Sequence, residues 1–92
     1  MNQKIIIESL AMDLKRVALG LYRGSAAMAN RFKQEALNRE GELEQENTDQ
    51  YIKKLLRKTK IVLKSKTIKA AEDTLMYSIL FQNYAMKNFK NS

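Results

Sequence analysis

Apolar residues recur every three or four positions along most of the chain, which is the spacing of one helical face. Three glycines and no proline leave long helices possible almost everywhere. The pattern predicts an all-α protein, a four-helix up-and-down bundle with helices at about 2–21, 26–40, 48–64 and 68–89. The clearest stripe lies in the first helix and consists of Ile7, Leu10, Leu14, Val17 and Leu21.

Short polar joints separate the predicted helices. Gly24 followed by a serine is typical of a helix C-terminus and the N-cap of the next helix. A single helix running through Gly24 stays open, because an internal glycine costs only ~1 kcal/mol. We predict that Asn47 or Thr48 caps the third helix and that a hydroxyl in the segment 65–67 caps the fourth. The second helix is expected to end near Gly41, unless the acidic residues there have basic partners elsewhere.

The fourth predicted helix is apolar on two sides. One side is expected to face the core, with Ser78 and Gln82 as polar positions within it. This expected core side consists of Ile68, Ala71, Leu75, Ile79, Met86 and Phe89. The other side exceeds what one core stripe needs, and burial within the chain explains it as well as a partner or self-association surface does. The candidate interface residues on this second side are Met76, Tyr77, Leu80, Phe81 and Tyr84.

The formal charge of +7 lies entirely in the second half of the chain. Residues 1–46 hold seven bases and seven acids, whereas residues 47–92 hold ten bases and three acids. The segment Tyr51–Lys69 has eight Lys or Arg residues and no acid, yet its apolar residues keep helical spacing. On a helical wheel it is amphipathic, and opposite its apolar face lies a basic ridge formed by Lys53, Arg57, Lys60 and Lys64.

The basic ridge is a candidate site for the phosphates of a nucleic acid. It lacks interleaved aromatic residues and side chains suited to base edges, and the acidic block at 40–49 can neutralise it. A solvated lysine face is therefore the favoured interpretation, with nucleic-acid binding as the alternative.

Composition narrows the possible chemistry. Without Cys or His the chain has no disulfide, thiolate ligand or imidazole base. It also has no glycine-rich phosphate loop and no EF-hand pattern. We predict no enzymatic activity, no metal site and no cofactor. A small helical enzyme that holds an anionic substrate with Arg and Lys is the least favoured class.

The length of 92 residues predicts one domain, 1–92. The longest uncharged run, 74–86, is shorter than the about twenty residues that cross a bilayer. The N-terminal apolar patch is broken by Glu8 and Asp13, which argues against a secretory signal. We therefore expect a cytoplasmic protein without a membrane span. Because a small core covers little surface, association is favoured.

We predict a non-enzymatic interaction or assembly protein that forms a homodimer through the fourth helix. A different protein partner stays open. The runner-up is a nucleic-acid-binding accessory protein that uses the basic ridge.

Overall fold

The computed structural model of the chain describes residues 2–89. Every regular element in this range is a helix. At one end of the molecule, Gln3 Nε2 lies 3.2 Å from the carbonyl oxygen of Asn47, which joins the start of the first helix to the end of the second. The prediction of an all-α four-helix bundle is confirmed. The helices are α1 (Gln3–Tyr22), α2 (Ala26–Glu44), α3 (Gln50–Val62) and α4 (Ile68–Asn88).

A left-handed glycine ends α1. Gly24 has φ of 70°, a conformation that residues with a Cβ rarely adopt. The amide of Gly24 donates to the carbonyl of Leu21, and the amide of Ser25 donates to that of Gly20 at 2.8 Å, the two bonds of a Schellman motif. The Ser25 hydroxyl then accepts from the amide of Met28 and begins α2. The predicted joint between two separate helices is therefore confirmed.

The predicted cap of α3 is wrong. The side chain of Asp49, rather than Asn47 or Thr48, accepts a 3.0 Å hydrogen bond from the amide of Ile52. A carboxylate is a strong acceptor for the first-turn amides, whereas Thr48 is buried. The α4 cap is confirmed, since the hydroxyl of Thr67 accepts from the first turn of that helix.

Helix α2 continues past Gly41 to Glu44. The acidic end that opposes its dipole has basic partners nearby. Arg39 pairs with Glu42 at 2.9 Å, and Lys60 of α3 pairs with Glu44. These contacts explain why α2 is longer than the predicted 26–40.

Helix α1 is central, because it packs along both α2 and α4. Its contact with α2 is closest at Gly20, where an added Cβ would lie 2.7 Å from the backbone nitrogen of Ala29. The predicted α1 stripe points into the core, and so does the predicted apolar face of α3. Ile61 of α3 lies outside that face and is 69% exposed.

Candidate functional site

The structure places residues from both predicted sides of α4 in the core. On the expected core side, Ala71 and Ser78 are buried and Phe89 packs against the core, as predicted. Phe81 is fully buried, and Tyr77, Leu80 and Tyr84 are partly buried against the core. Of the five predicted interface residues, Met76 is the exposed one. The prediction that Phe81 is a surface contact is therefore wrong, because this side chain fills the interior of its own chain.

The side of α4 that was expected to face the core is largely exposed. Ile68, Ile79 and Met86 are 59%, 49% and 61% exposed, and Leu75 is half-buried. Small residues explain this orientation, since they bury the neighbouring side of α4: Ala70, Ala71, Thr74, Ser78 and Ala85. They occupy little space, so the backbones of α1 and α4 lie close and the larger aliphatic residues point outward.

The exposed side of α4 keeps a regular spacing of four and three residues, the a/d pattern of helix–helix seams. We call this set the α4 stripe. Its two polar members are Glu72 and Gln82. The α4 stripe consists of Ile68, Glu72, Leu75, Ile79, Gln82 and Met86.

Helix α1 carries a matching stripe on the side away from its core residues. Ile5, Met12 and Tyr22 in it are each between 45% and 49% exposed. Its spacing of three and four residues was visible in the sequence, but Glu8 and Lys15 interrupt its apolar character. The α1 stripe consists of Ile5, Glu8, Met12, Lys15, Leu19 and Tyr22.

The two stripes lie side by side and form one surface, which we call the outer face. A groove of about 290 Å³ runs between Met12 and Lys15 on α1 and Gln82 and Met86 on α4. A shallower depression of about 390 Å³ is lined by Tyr22 of α1 and by five residues of α4, namely Glu72, Leu75, Met76, Ile79 and Leu80. A contiguous apolar surface of this kind is typical of an interaction site.

The charges of the outer face are few and unpaired. Glu8, Lys15 and Glu72 form no ion pair with any described residue. The cations of the chain are concentrated on α3 instead. The outer face is therefore apolar and close to neutral, in contrast to the rest of this basic protein.

The basic ridge lies on a different part of the molecule. Lys53, Arg57 and Lys64 are exposed and form no ion pair among residues 2–89, whereas Lys60 pairs with Glu44. The acidic end of α2 thus neutralises one of the four cations. A cleft of about 250 Å³ beside the ridge is lined by Glu44, Thr48, Lys53, Leu56, Arg57 and Lys60.

A buried carboxylic acid lies between α2 and α3. Glu40 is fully buried, its Oε2 accepts a hydrogen bond from the hydroxyl of Thr59, and its Oε1 has no partner within the described chain. Burial raises the pKa of Glu40 to about 7, against the opposing effects of the Thr59 hydrogen bond and the charge of Lys60. The contact joins α2 to α3.

A second buried acid lies on α1. The pKa of Asp13 is raised by burial, while the positive charge of Arg39 opposes the shift. Arg16 lies 3.9 Å from its carboxylate. Across the described range, no group of three or more acidic residues is arranged to hold a metal ion. None of the four described helices is long and apolar enough to cross a membrane.

Comparisons with protein-family models, with curated proteins and with solved structures find no match to this chain.

Proposed function

We propose that this protein is a non-enzymatic interaction protein that associates with itself through the outer face. The observation that carries the proposal is the exposure of two apolar stripes on neighbouring helices, each with the spacing of a helix–helix seam. Single exposed aliphatic residues are ordinary, but a contiguous surface across two helices is not. Covering it with two helices of a second copy removes this apolar area from water.

The size of the chain supports the same conclusion. A domain of about 90 residues buries only roughly 60–65% of the surface that its unfolded chain exposes. Here three large apolar residues of α4, Ile68, Ile79 and Met86, contribute little to the core, because they point outward. Association gives Ile79 and Met86 the burial that the single chain does not provide.

Two substitutions on the outer face test the proposal. We expect the wild-type protein to have the mass of a dimer in light scattering at micromolar concentrations. Ile79→Asp combined with Met86→Asp places charges in the seam and should yield monomers that keep their helical circular dichroism. The matched control is Ile61→Asp, which changes an exposed isoleucine on α3 and should leave the dimer intact. A wild-type protein that stays monomeric at several hundred micromolar would overturn the proposal.

The alternative function, nucleic-acid binding, rests on a separate observation. Lys53, Arg57 and Lys64 point into solvent and have no acidic partner among residues 2–89, so they are available for phosphate groups. Lys60 is held by Glu44 and is less available. This arrangement supports weak, salt-sensitive binding without base recognition.

A further inference from the structure

We infer that two copies pack antiparallel, with a two-fold axis that passes beside Met12 of α1 and Gln82 of α4. The inference rests on the proposed self-association and specifies its geometry. In an antiparallel pair of identical helices, residue i faces residue j of the second copy with i plus j constant, and along a stripe with alternating steps of three and four residues this sum holds to within one. The residue placed at the axis then determines which residues meet.

On α1 this rule pairs unlike charges and like apolar residues. With Met12 at the axis, Ile5 faces Leu19 of the second copy, and Glu8 faces Lys15 of the second copy. The only two charged residues of the α1 stripe thus become partners, and symmetry forms this pair twice. Both charges are unpaired within the described part of one chain, as a contact between chains requires.

On α4 the same rule gives an apolar seam. With Gln82 at the axis, Ile79 faces Met86 of the second copy. Gln82 meets Gln82 of the second copy, and two amides can bond to each other because each has a donor and an acceptor. A single polar pair in an apolar seam is a known determinant of register.

The fold places the two axis residues together. Met12 and Gln82 line the same groove between α1 and α4, with Glu8, Lys15 and Met86 around them. One two-fold axis can therefore serve both helices at once.

The competing symmetric arrangement, with the axis parallel to the helices, lays α1 on α4 of the second copy. Because Glu8 and Met86 lie at the same end of the groove, that arrangement would place Glu8 against Met86 of the second copy. Lys15 would likewise face the apolar part of α4. Unpaired charges against apolar side chains are unfavourable, so the antiparallel arrangement is preferred.

Charge exchange tests the pairing of α1. Glu8→Lys and Lys15→Glu should each weaken dimerisation about tenfold or more, because each change creates two repulsive contacts per dimer. The combined variant Glu8→Lys with Lys15→Glu should return the dissociation constant to near the wild-type value. Weakening that simply adds in the combined variant would overturn the proposed pairing.

Cysteine cross-linking tests the axis, because the natural chain has no cysteine. Gln82→Cys should form a disulfide-linked dimer on mild oxidation, since a residue at the axis meets its own copy. Ile79→Cys and Met86→Cys should cross-link when mixed and much less when each is alone. The control Ile61→Cys should stay uncross-linked at the same concentration.

Different results would contradict the proposed axis and the proposed self-association. A dimer by light scattering whose Gln82→Cys variant does not cross-link would overturn the axis and leave self-association standing. A monomeric wild-type protein would overturn both, and binding of that monomer to neutral lipid vesicles would identify the outer face as a membrane-contacting surface instead.

Discussion

The hydroxyl of Tyr84 donates a 2.6 Å hydrogen bond to Oδ2 of Asp49, while Oδ1 of the same carboxylate caps α3 by accepting from the amide of Ile52. The side chain of Asp49 thus caps the start of α3 and also binds Tyr84 near the end of α4. The ring of Tyr84 also stacks on Tyr51, with centroids 5.8 Å apart. This contact is one of the few polar links between distant parts of the chain.

Tyr84→Phe should lower the free energy of unfolding by about 1 kcal/mol, because it removes one hydrogen bond and keeps the ring. The matched control is Tyr51→Phe, whose hydroxyl makes no hydrogen bond within residues 2–89, and it should have little effect. Urea denaturation at pH 7 measures both. Equal losses in the two variants would contradict the assigned role.

The same contact has a defined pH dependence. The Tyr84 hydrogen bond, then the Ile52 amide, hold the pKa of Asp49 below its usual value. A lowered folded-state pKa stabilises the fold above the unfolded pKa near 3.9, and the contribution is lost as pH falls through the folded pKa. The stability difference between wild type and Tyr84→Phe should therefore shrink below about pH 4. A difference that stays constant from pH 7 to 3 would contradict this linkage.

Glu40 predicts a pH dependence of the opposite sign. Its pKa is raised to about 7, so the folded state binds a proton at a pH where the unfolded state does not. Stability should therefore increase as pH falls from about 8 towards 4.5, by on the order of 2–3 kcal/mol. Glu40→Gln should remove this dependence and stabilise the protein at pH 8. Denaturation at one fixed protein concentration is required, because association alters apparent stability.

Hydrogen-bond geometry supports this assignment independently. The hydroxyl of Thr59 lies within bonding distance of both Glu40 Oε2 and the carbonyl of Leu56, but it has a single proton. When Glu40 is protonated, it donates to Thr59 and Thr59 donates to Leu56, so both contacts are satisfied. A glutamine amide at position 40 can make the same donation. A pH profile unchanged by Glu40→Gln would show that another group titrates.

How much of this architecture could be predicted from sequence depends on how sharply each helix separates polar from apolar residues. Helix α3 was predicted well because lysines cover one side and aliphatic residues the other, leaving Ile61 as the one apolar residue on the wrong side. Helix α4 has apolar residues all round, so periodicity found two stripes, and the one with the larger aliphatic residues was assigned to the core although most of these are exposed. Side-chain size was misleading in α4, because small residues such as Ala71 and Ser78 allow α4 to pack closely against α1.

The candidate site was missed for a related reason. Two of the six residues in the α1 stripe are charged, and its meaning depends on the α4 stripe lying beside it, which no local pattern reveals. The two acids buried at Asp13 and Glu40 were also unpredictable, since a charged residue in an amphipathic helix is normally exposed. Cap positions depend on which of several adjacent polar residues turns inward, as Thr48 and Asp49 show.

Gly20 of α1 and Gly41 of α2 are a matched pair of positions at which to test an added methyl group. Gly20→Ala should destabilise the protein by about 1–3 kcal/mol, because its Cβ would lie 2.7 Å from the Ala29 backbone and force α1 and α2 apart. The added Cβ of Gly41→Ala meets no atom of residues 2–89 within 4 Å, so this change should stabilise α2 by about 0.5–1 kcal/mol. Thermal denaturation of the two variants should show shifts of opposite sign. A stabilised Gly20→Ala would mean that α1 and α2 are less closely packed.

The nucleic-acid alternative makes a prediction that is independent of the outer face. If it holds, the protein shifts labelled single- or double-stranded oligonucleotides at low salt, and affinity falls steeply as salt rises. Lys53→Glu with Arg57→Glu should abolish the shift. Arg23→Glu with Lys87→Glu makes the same change in net charge at exposed positions outside α3 and should weaken it far less. No shift by the wild-type protein at low salt would exclude this function.

Phe81 and Ile79 lie two residues apart on α4 and should respond to alanine in opposite ways. Phe81→Ala empties a fully buried site and should cost about 3–5 kcal/mol of stability, enough to unfold much of a small domain. Ile79→Ala removes an aliphatic side chain that is 49% exposed in one chain, so a monomer should lose little stability. Removal of the Ile79 side chain should instead raise the dimer dissociation constant, because a second copy covers this residue.

Sedimentation equilibrium combined with denaturation at two protein concentrations separates the effects. If Ile79→Ala leaves dissociation unchanged while Phe81→Ala weakens it without unfolding the chain, then the aromatic side of α4 faces the partner and the orientation of α4 described above is incorrect.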